Sequence, residues 1–217
     1  MAKLKLAVLI SGRGSNLQSL IDACSEPSFP AEIGIVISNR PGAAGLLRAQ
    51  KSAIPTHCID HKLFGTRAEF DAEMTKAMEA AGTELVCLAG FMRLLSDEFC
   101  AHWLDRMINI HPSLLPSFKG LNVQQAALDA GVRFSGCTVH YVRPEMDCGP
   151  VIIQAVVPIS ADDTANDLAK RILTEEHKIY PEAVRLIAEK RIFIKGEKAV
   201  IATQNTPVGS MRNPTVE

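Results

Sequence analysis

Asn109 and His111 are the residues of this sequence whose types and spacing suggest chemistry most directly. They stand two positions apart in the stretch INIHPSLLPSFKG, where an apolar run ends. If that run is a β-strand, both side chains project from the same side of it. An amide beside an imidazole suits acyl transfer, because both groups can stabilise an oxyanion and the imidazole can also carry a proton. Pro112 and Pro116 follow and restrict the backbone just beyond the pair.

A carboxylate would complete this set, and Asp147 is the candidate. It lies in the segment MDCGP, which we expect to form a turn between two late strands. There it could hold an imidazole in its charged form or orient a water molecule. No serine or cysteine occupies a G-x-S-x-G elbow, so a covalent acyl-enzyme is not indicated, and direct transfer or hydrolysis fits better. A plainer interpretation stays open, since a single histidine at a strand end is more often structural than catalytic.

The segment SGRGSN, residues 11–16, follows the first apolar run and precedes a helical pattern. A glycine loop between a strand and a helix aims backbone N–H groups and the positive end of a helix dipole at an anion. A dinucleotide fingerprint would need glycine at Leu17 and an acidic residue after the second strand, which instead ends in SNR. The dinucleotide interpretation therefore fails. A smaller phosphate and a simple glycine turn capped by Ser15 or Asn16 remain equally good interpretations.

The elements that must position these groups follow from the alternation of short apolar runs with helical patterns. Continuous apolar strands separated by helices predict a parallel sheet covered on both faces, which is an open, doubly wound α/β architecture. In such sheets ligands bind at the carboxyl ends of the strands, where Asn109 and His111 would lie. The predicted strands are KLAVLI, IGIVIS, THCID, ELVCLAG and MINI, and the helices between them are predicted to begin near Asn16, Ala43, Arg67 and Ser96.

Beyond the proline-containing loop the pattern changes. Two apolar runs, GCTVHYV and PVIIQAVVPI, are separated by a short loop, which predicts adjacent strands joined by a turn and therefore a mostly parallel sheet whose late strands are partly antiparallel. We interpret residues 1–202 as a single domain. Residues 203–217 lack periodicity, and we expect them to form a disordered tail.

The last helix is predicted from about Thr164, because apolar residues recur there at helical spacing. Asp162 or Asp163 is available as its N-cap. Pro181 falls inside the pattern and should kink or interrupt the helix, since proline cannot donate a backbone hydrogen bond.

The composition limits the classes of protein to which this chain can belong. With 217 residues, of which 47% are hydrophobic, it can bury a large core. Its net charge of -1 gives no general attraction to nucleic acid, and no run approaches the length of a membrane span. The six cysteines form no C-x-x-C pair, and we predict no metal site. We expect a cytoplasmic protein with reduced cysteines and small-molecule substrates, present as a monomer or a homodimer.

Five segments, taken together and in order, resemble the folate-dependent phosphoribosylglycinamide formyltransferases. They are SGRGSNLQ, LAGFMRLL, NIHPSLLPSFKG, TVHYVRPEMDCGPVI and TEEHKIYP. The resemblance joins unrelated motifs, which makes it far more specific than any one of them. It implies a Rossmann-like formyltransferase fold. It also implies an enzyme of purine synthesis that transfers a formyl group from 10-formyltetrahydrofolate, as cosubstrate, to the amino group of glycinamide ribonucleotide.

The resemblance further implies roles for individual residues. Catalysis would fall to Asn109, His111 and Asp147. The nucleotide's phosphate would be bound by Gly14, Ser15 and Asn16, and its glycinamide end by Glu176. The folate would lie against Arg67, Met92, Arg93, Leu94, Leu95, Asn109, Arg143, Pro144, Glu145, Met146 and Asp147. No metal ion is implied.

The position of Glu176 supports part of this assignment independently. It stands one helical turn beyond Ile172 in the apolar register of the predicted last helix, so its carboxylate should face the core, where an unpaired charge is costly. A buried cation or amine would explain that position. The alternative is that a kink at Pro181 turns the carboxylate into solvent, since glutamate is seldom fully buried.

One segment departs from the family pattern. The family often has histidines in a GLHTH-type stretch after the proline-containing loop, whereas this sequence has Asn122, Val123 and Gln124 there. Any role that those histidines have elsewhere is therefore not carried over to this chain.

Three alternative functions fit the sequence less well. A 10-formyltetrahydrofolate hydrolase would use a similar Asn, His and Asp but give the formyl group to water, and we expect it to need a regulatory domain before the first strand at Leu4. A methionyl-tRNA formyltransferase would need an additional RNA-binding domain. A non-catalytic nucleotide- and folate-binding module would not require Asn109, His111 and Asp147 together.

Overall fold

The computed structural model of the chain describes residues 2–202 and 209–214. Nine strands and six α-helices are described, numbered here in chain order. The strands are β1 Leu4–Ile10, β2 Ala31–Ser38, β3 Thr56–Cys58, β4 Leu85–Leu88, β5 Met107–His111, β6 Phe134–Tyr141, β7 Val151–Pro158, β8 Ile192–Lys195 and β9 Lys198–Ile201. The helices are α1 Ser15–Ser25, α2 Ala44–Lys51, α3 Arg67–Ala80, α4 Asp97–His102, α5 Val123–Asp129 and α6 Ala165–Ala188.

Seven of the strands form one sheet, in the order β3-β2-β1-β4-β5-β6-β7. Strands β1 to β5 are parallel, whereas β6 is antiparallel to both β5 and β7. The predicted doubly wound, mostly parallel sheet with antiparallel late strands is therefore confirmed. The strand order turns at β1 and β4, and this reversal opens a crevice at the carboxyl ends of the strands.

Alternate side chains of β1 pack on opposite faces of the sheet, as the pleat requires. Ala7 and Leu9 belong to the hydrophobic cluster that contains Met74 of α3. Val8 belongs to the cluster on the other face, which contains Leu20 of α1. All five side chains are completely buried. Because helices cover both faces of the sheet at β1, a ligand reaches this strand at its end.

The N-terminus of α6 differs from the prediction. Its cap is Thr164, not Asp162 or Asp163: the Thr164 hydroxyl accepts the backbone N–H of Asp167, and the Asp167 carboxylate accepts the N–H of Thr164. This reciprocal capping box satisfies two donors at once, which a single aspartate cap would not do. The Asp163 carboxylate instead pairs with the Arg171 guanidinium at 2.6 Å.

The predicted interruption of α6 at Pro181 is wrong. The helix runs without a break through 24 residues, with Pro181 inside it. Tyr180 and Val184, on either side of the proline, are completely buried, so packing of the apolar face outweighs the missing backbone hydrogen bond.

Among the helices of the described residues, none combines the length and the apolar composition that crossing a membrane demands.

The hairpin of β8 and β9 was not predicted from the sequence. These two strands pair with each other in a separate small sheet. The turn between them contributes Glu197, whose carboxylate lies 3.2 Å from the Arg143 guanidinium. The hairpin thereby contacts the segment that leads from β6 toward Asp147.

The predicted disordered tail, residues 203–217, falls largely outside the described residues. Residues 203–208 and 215–217 are not described, and for them disorder stays a prediction. Within the described part, the Asn213 amide donates hydrogen bonds to the backbone carbonyls of Arg133, at 2.6 Å, and Ile159, at 2.8 Å.

Candidate active site

The end of β5 carries Asn109 and His111. Their neighbours Ile108 and Ile110 belong to the apolar core, and the strand alternation therefore gives the two polar side chains a common side. His111 is buried and Asn109 is half-buried. The expectation that both residues project together at the carboxyl edge of the sheet agrees with this geometry.

Both nitrogen atoms of the His111 ring face acceptor oxygens. Nδ1 lies 3.4 Å from a carboxylate oxygen of Asp147, and Nε2 lies 3.0 Å from the backbone carbonyl of Phe118. A ring that donates to both neighbours at once must carry hydrogen on both nitrogens. The arrangement suits a cationic histidine held between a carboxylate and a carbonyl.

Asp147 joins two loops at the centre of the site. One of its carboxylate oxygens faces His111, and the other accepts the backbone N–H of Gly120 at 2.7 Å. The carboxylate is only 12% exposed, so water screens its interaction with the imidazolium weakly. Asp147 thus orients the histidine and fixes the loop that follows the two prolines.

His140 is a site residue that the sequence analysis did not identify. It lies directly opposite Asn109 in the antiparallel pairing of β5 and β6. Its Nδ1 faces the carbonyl oxygens of Tyr141, at 2.9 Å, and Cys148, at 3.2 Å, so the ring hydrogen belongs on Nδ1. Burial lowers the pKa of His140, which favours the neutral ring. Only the pairing register of β5 with β6, which places His140 opposite Asn109, could have identified it.

Neutral His140 fixes the orientation of the Asn109 amide. The Asn109 Nδ2 atom lies 3.3 Å from His140 Nε2, and with hydrogen on Nδ1 this Nε2 can only accept. The amide of Asn109 must therefore present its NH2 group to His140, and the second N–H of that group is available for a substrate oxygen. His140 acts through Asn109 and is a positioning residue.

The glycine loop places the first turn of α1 beside this cluster. The helix begins after Gly14, which has φ 70°, and it has neither a side-chain cap nor an acidic residue in its first turn. The alternative in which Ser15 or Asn16 caps the helix is therefore wrong. A Cβ atom at Gly14 would lie 2.7 Å from the Cα atom of Gly45, so only glycine fits this approach to α2. The uncapped N–H groups of the first turn can bind an anion.

Glu176 is buried, with 6% exposure, as its apolar register predicted, and its alternative placement in solvent is wrong. Its carboxylate accepts a hydrogen bond from the Asn16 amide at 2.7 Å. Burial raises the pKa of Glu176, against the opposing effects of the Asn16 hydrogen bond and the charge of His111. The other amide atom, Asn16 Oδ1, is also buried and has no hydrogen-bond partner among the described residues. The Glu176 carboxylate and Asn16 Oδ1 are therefore two acceptors grouped in a buried position, which suits a ligand amine.

Most of the residues assigned to the folate, here called the folate rim, are exposed. Met92, Leu94 and Met146 are 56%, 57% and 50% exposed, although large apolar side chains are usually covered. Arg67, Arg93, Pro144 and Glu145 are also exposed, and Leu95 is half-buried.

Arg143 is directed away from this rim by two ion pairs. Its guanidinium lies 2.9 Å from Asp105 and 3.2 Å from Glu197. Any folate contact of Arg143 would therefore involve its backbone, and no local pattern in the sequence indicated these two partners.

Ser11 is a second site residue that sequence reasoning missed. Its hydroxyl accepts the backbone N–H of Met92 at 2.7 Å and donates to the Asn39 side-chain oxygen at 2.6 Å. The glycine loop is thereby connected to the loop after β4. Ser11 is buried, and this connection is visible only once the strands are assembled.

A metal centre is not evident in the part of the chain that the structure describes. No group of three or more His, Cys, Asp or Glu side chains there could hold a metal ion. His57 and His61 stand four positions apart, but the Nδ1 atom of His61 lies 2.9 Å from the Asn39 carbonyl oxygen.

Comparison with known proteins places this geometry in a family. Residues 4–184 match the family model described as formyl transferase. The trifunctional purine biosynthetic protein adenosine-3 of Bos taurus is 53% identical over 186 residues, which are 86% of this chain but 18% of that protein. The phosphoribosylglycinamide formyltransferase of Escherichia coli is 41% identical over 204 residues, covering 94% of this chain and 96% of that protein.

Solved structures agree with the sequence comparison. The crystal structure of glycinamide ribonucleotide transformylase 1 from Symbiobacterium toebii superposes with a TM-score of 0.90 at 46% identity, covering 92% of this chain and 94% of that chain. The family model spans most of the described sheet, including β5 and the loop with Asp147. This chain belongs to the formyl transferase family.

Proposed function

We propose that this protein transfers the formyl group of 10-formyltetrahydrofolate to the amino group of glycinamide ribonucleotide. The observation that carries the proposal is the grouping of Asn109, His111 and Asp147 beside the buried acceptors of Asn16 and Glu176. The first three residues can activate a formyl group, and the last two can hold an amine. The names of relatives that match nearly the whole chain support the same substrates.

The acceptor nucleotide would bind along α1. Its phosphate would lie at the uncapped N-terminus, where the backbone N–H groups after Gly14 and the helix dipole attract an anion. Its amino group would lie at the Glu176 carboxylate and the unpartnered Asn16 Oδ1. Since the Asn16 side chain is engaged with Glu176, its part in phosphate binding would come from its backbone.

The chemical step would be a direct transfer through a tetrahedral intermediate. The neutral amine of the nucleotide attacks the formyl carbon, and the free N–H of Asn109 and the His111 imidazolium stabilise the resulting oxyanion. The Asp147 carboxylate stabilises the imidazolium. A proton then passes from the attacking nitrogen to the departing folate nitrogen, with His111 and Asp147 assisting directly or through a water, and the bond from carbon to the folate nitrogen breaks.

The loop that follows the two prolines must adjust for this step. In the free protein the Phe118 carbonyl oxygen accepts the hydrogen bond from the Nε2–H of His111, so this N–H cannot reach a formyl oxygen. We infer that substrate binding displaces the Phe118 carbonyl and frees the donor. Catalytic hydrogen bonds commonly reach their working geometry only in the substrate complex.

The decisive experiment measures formation of the deformylated folate with and without glycinamide ribonucleotide. We expect turnover that depends on the nucleotide, with formylated nucleotide as the second product. Turnover without the nucleotide would instead identify a 10-formyltetrahydrofolate hydrolase, which uses water as the acceptor. Binding of both compounds without turnover would identify a non-catalytic module.

A further inference from the structure

The amine of Lys119 lies unusually close to the sulfur of Cys148. The Nζ to Sγ distance is 2.7 Å, although a thiol is a weak hydrogen-bond acceptor. Glu145 lies on the other side of the amine, with a carboxylate oxygen 3.6 Å from Nζ. The contact with sulfur raises the pKa of Lys119. Neither side chain has a part in the proposed transfer, yet the two residues flank two groups that do, the Phe118 carbonyl and Asp147.

Cys148 differs in its surroundings from most of the other cysteines. Cys87, Cys100 and Cys137 are buried in the apolar core. Desolvation raises the pKa of the Cys100 thiol to about 11 and that of Cys137 to about 12, so the reactive thiolate is scarce at these positions. Cys148 is only half-buried and faces an ammonium group. This is the environment in which a cysteine reacts with oxidants.

We propose that Lys119 and Cys148 form an oxidative modification site, at which a peroxide converts the pair into a covalent nitrogen–sulfur cross-link. The short distance carries the proposal, because a small movement of a flexible, 32% exposed lysine side chain brings the nitrogen within bonding distance of sulfur. The nucleophile that traps the oxidised sulfur is therefore already in place.

The chemistry proceeds in two balanced steps. In the first, the Cys148 thiolate attacks one oxygen of hydrogen peroxide, the O–O bond breaks, and after protonation sulfenic acid and water result. This oxidation removes the contact with sulfur that raises the pKa of Lys119. In the second, the neutral Lys119 amine attacks the sulfenic sulfur, the S–O bond breaks, and a second water leaves. Overall, the thiol, the amine and one peroxide give a sulfenamide and two waters.

The cross-link would act on the active site through the segments it joins. It would fix residues 118–120 to residues 147–148, which already share the hydrogen bond from the Gly120 N–H to Asp147. The Phe118 carbonyl would then stay on His111 Nε2, where it blocks the donor. This consequence rests on the proposed function, whereas formation of the cross-link does not.

The test treats the whole protein with hydrogen peroxide and maps its peptides by mass spectrometry. The variants are Cys148→Ser, which lacks the sulfur, and Lys119→Arg, which keeps the charge but has a poor nucleophile. Cys58→Ser is the matched control, because Cys58 is exposed and lies on β3. In the unsubstituted protein and in Cys58→Ser we expect a peptide pair joined through Lys119 and Cys148, with two hydrogens lost, that dithiothreitol separates.

Two results would overturn the site. One is oxidation of Cys148 to sulfinic acid or to a mixed disulfide with Lys119 unmodified. The other is the same product pattern in Lys119→Arg as in the unsubstituted protein.

The effect of the cross-link on activity has its own test. We expect kcat to fall about tenfold on cross-linking and to recover with dithiothreitol, because loop movement then limits turnover. An unchanged kcat in fully cross-linked protein would refute the effect on the loop, and the peptide map stays informative even if the protein has no transferase activity.

Discussion

At the scale of single residues, the site depends on how each polar group is paired. Asn109 is oriented by a neutral His140, and His111 is held by the carboxylate of Asp147 and the carbonyl of Phe118. Every group that would act on the formyl carbon therefore has a second contact that fixes its direction. Such preorganisation lets the Asn109 amide stabilise developing charge without first reorganising, whereas the His111 Nε2–H acts only after the inferred displacement of the Phe118 carbonyl.

Replacing either oxyanion donor should greatly reduce turnover. We expect Asn109→Ala and His111→Ala each to lower kcat by about two to three orders of magnitude, as the loss of an oxyanion donor does, while the fold is retained. Steady-state kinetics and circular dichroism measure the two effects separately. Near-normal turnover in either variant would refute the assigned role.

The ionised carboxylate of Glu176 should lower the stability of the protein while it contributes to binding of glycinamide ribonucleotide. Because burial raises its pKa, the native state holds the proton more tightly than the unfolded chain. The free energy of unfolding is therefore highest, as far as this group is concerned, below the ordinary carboxyl pKa, and it falls as pH rises through the raised pKa. Glu176→Gln cannot ionise, so we expect it to raise Tm at neutral pH, with little difference in acid, and to raise KM for glycinamide ribonucleotide.

Thermal unfolding at two pH values, together with kinetics, tests this prediction. Glu175→Gln, on the adjacent position of α6 and part of an exposed pair with Lys178, is the matched control and should leave both quantities nearly unchanged. A lower Tm for Glu176→Gln at neutral pH would contradict the prediction.

At the scale of elements, the site is built where the carboxyl end of β5, the N-terminus of α1 and the middle of α6 lie close together. The glycine loop approaches α2 so closely that Gly14 cannot carry a side chain, and α6, which continues unbroken past Pro181, carries Glu176 beside Asn16. The unfavourable effect of Pro181 on a helix interior would by itself have predicted a break in α6. Packing of its buried face decided the outcome, because the apolar contacts on both sides of Pro181 outweigh one lost hydrogen bond.

Gly14→Ala tests the position of the loop. We expect a loss of about 1 to 3 kcal/mol in the free energy of unfolding, since the residue has positive φ and its Cβ would collide with the Gly45 backbone. KM for the nucleotide should rise as well, because the first turn of α1 shifts. Gly12→Ala is the control, since no atom lies within 4 Å of its added Cβ. Equal denaturation curves for the two variants would refute this explanation.

At the scale of the whole molecule, buried hydrogen bonds connect loops that are distant in sequence. The Ser11 hydroxyl joins the glycine loop to the backbone of Met92 and to Asn39. The proposed nucleotide and folate regions are thus connected through the same hydroxyl group. A change in one region should therefore alter ligand binding in the other.

Ser11→Ala should weaken folate binding more than catalysis. It leaves the Met92 N–H and the Asn39 side-chain oxygen without their partner, which destabilises the loop arrangement around Met92. We expect KM for 10-formyltetrahydrofolate to rise about tenfold with a smaller change in kcat. Ser25→Ala, which removes a hydrogen bond within α1, serves as control and should behave as the unsubstituted protein. An effect on kcat alone would contradict a positioning role.

The amino-acid sequence alone determined the parallel core, the placement of Asn109 and His111 at a strand end, the glycine loop before α1 and the inward face of Glu176. These features depend on periodicity and on the conformational limits of single residues, which act over a few positions. The tertiary structure decided the partner of each group: His140 for Asn109, Phe118 for His111, Asn16 for Glu176 and Cys148 for Lys119. Asn16 and Glu176 are 160 positions apart, and such pairs follow from strand register and packing, which no local pattern encodes.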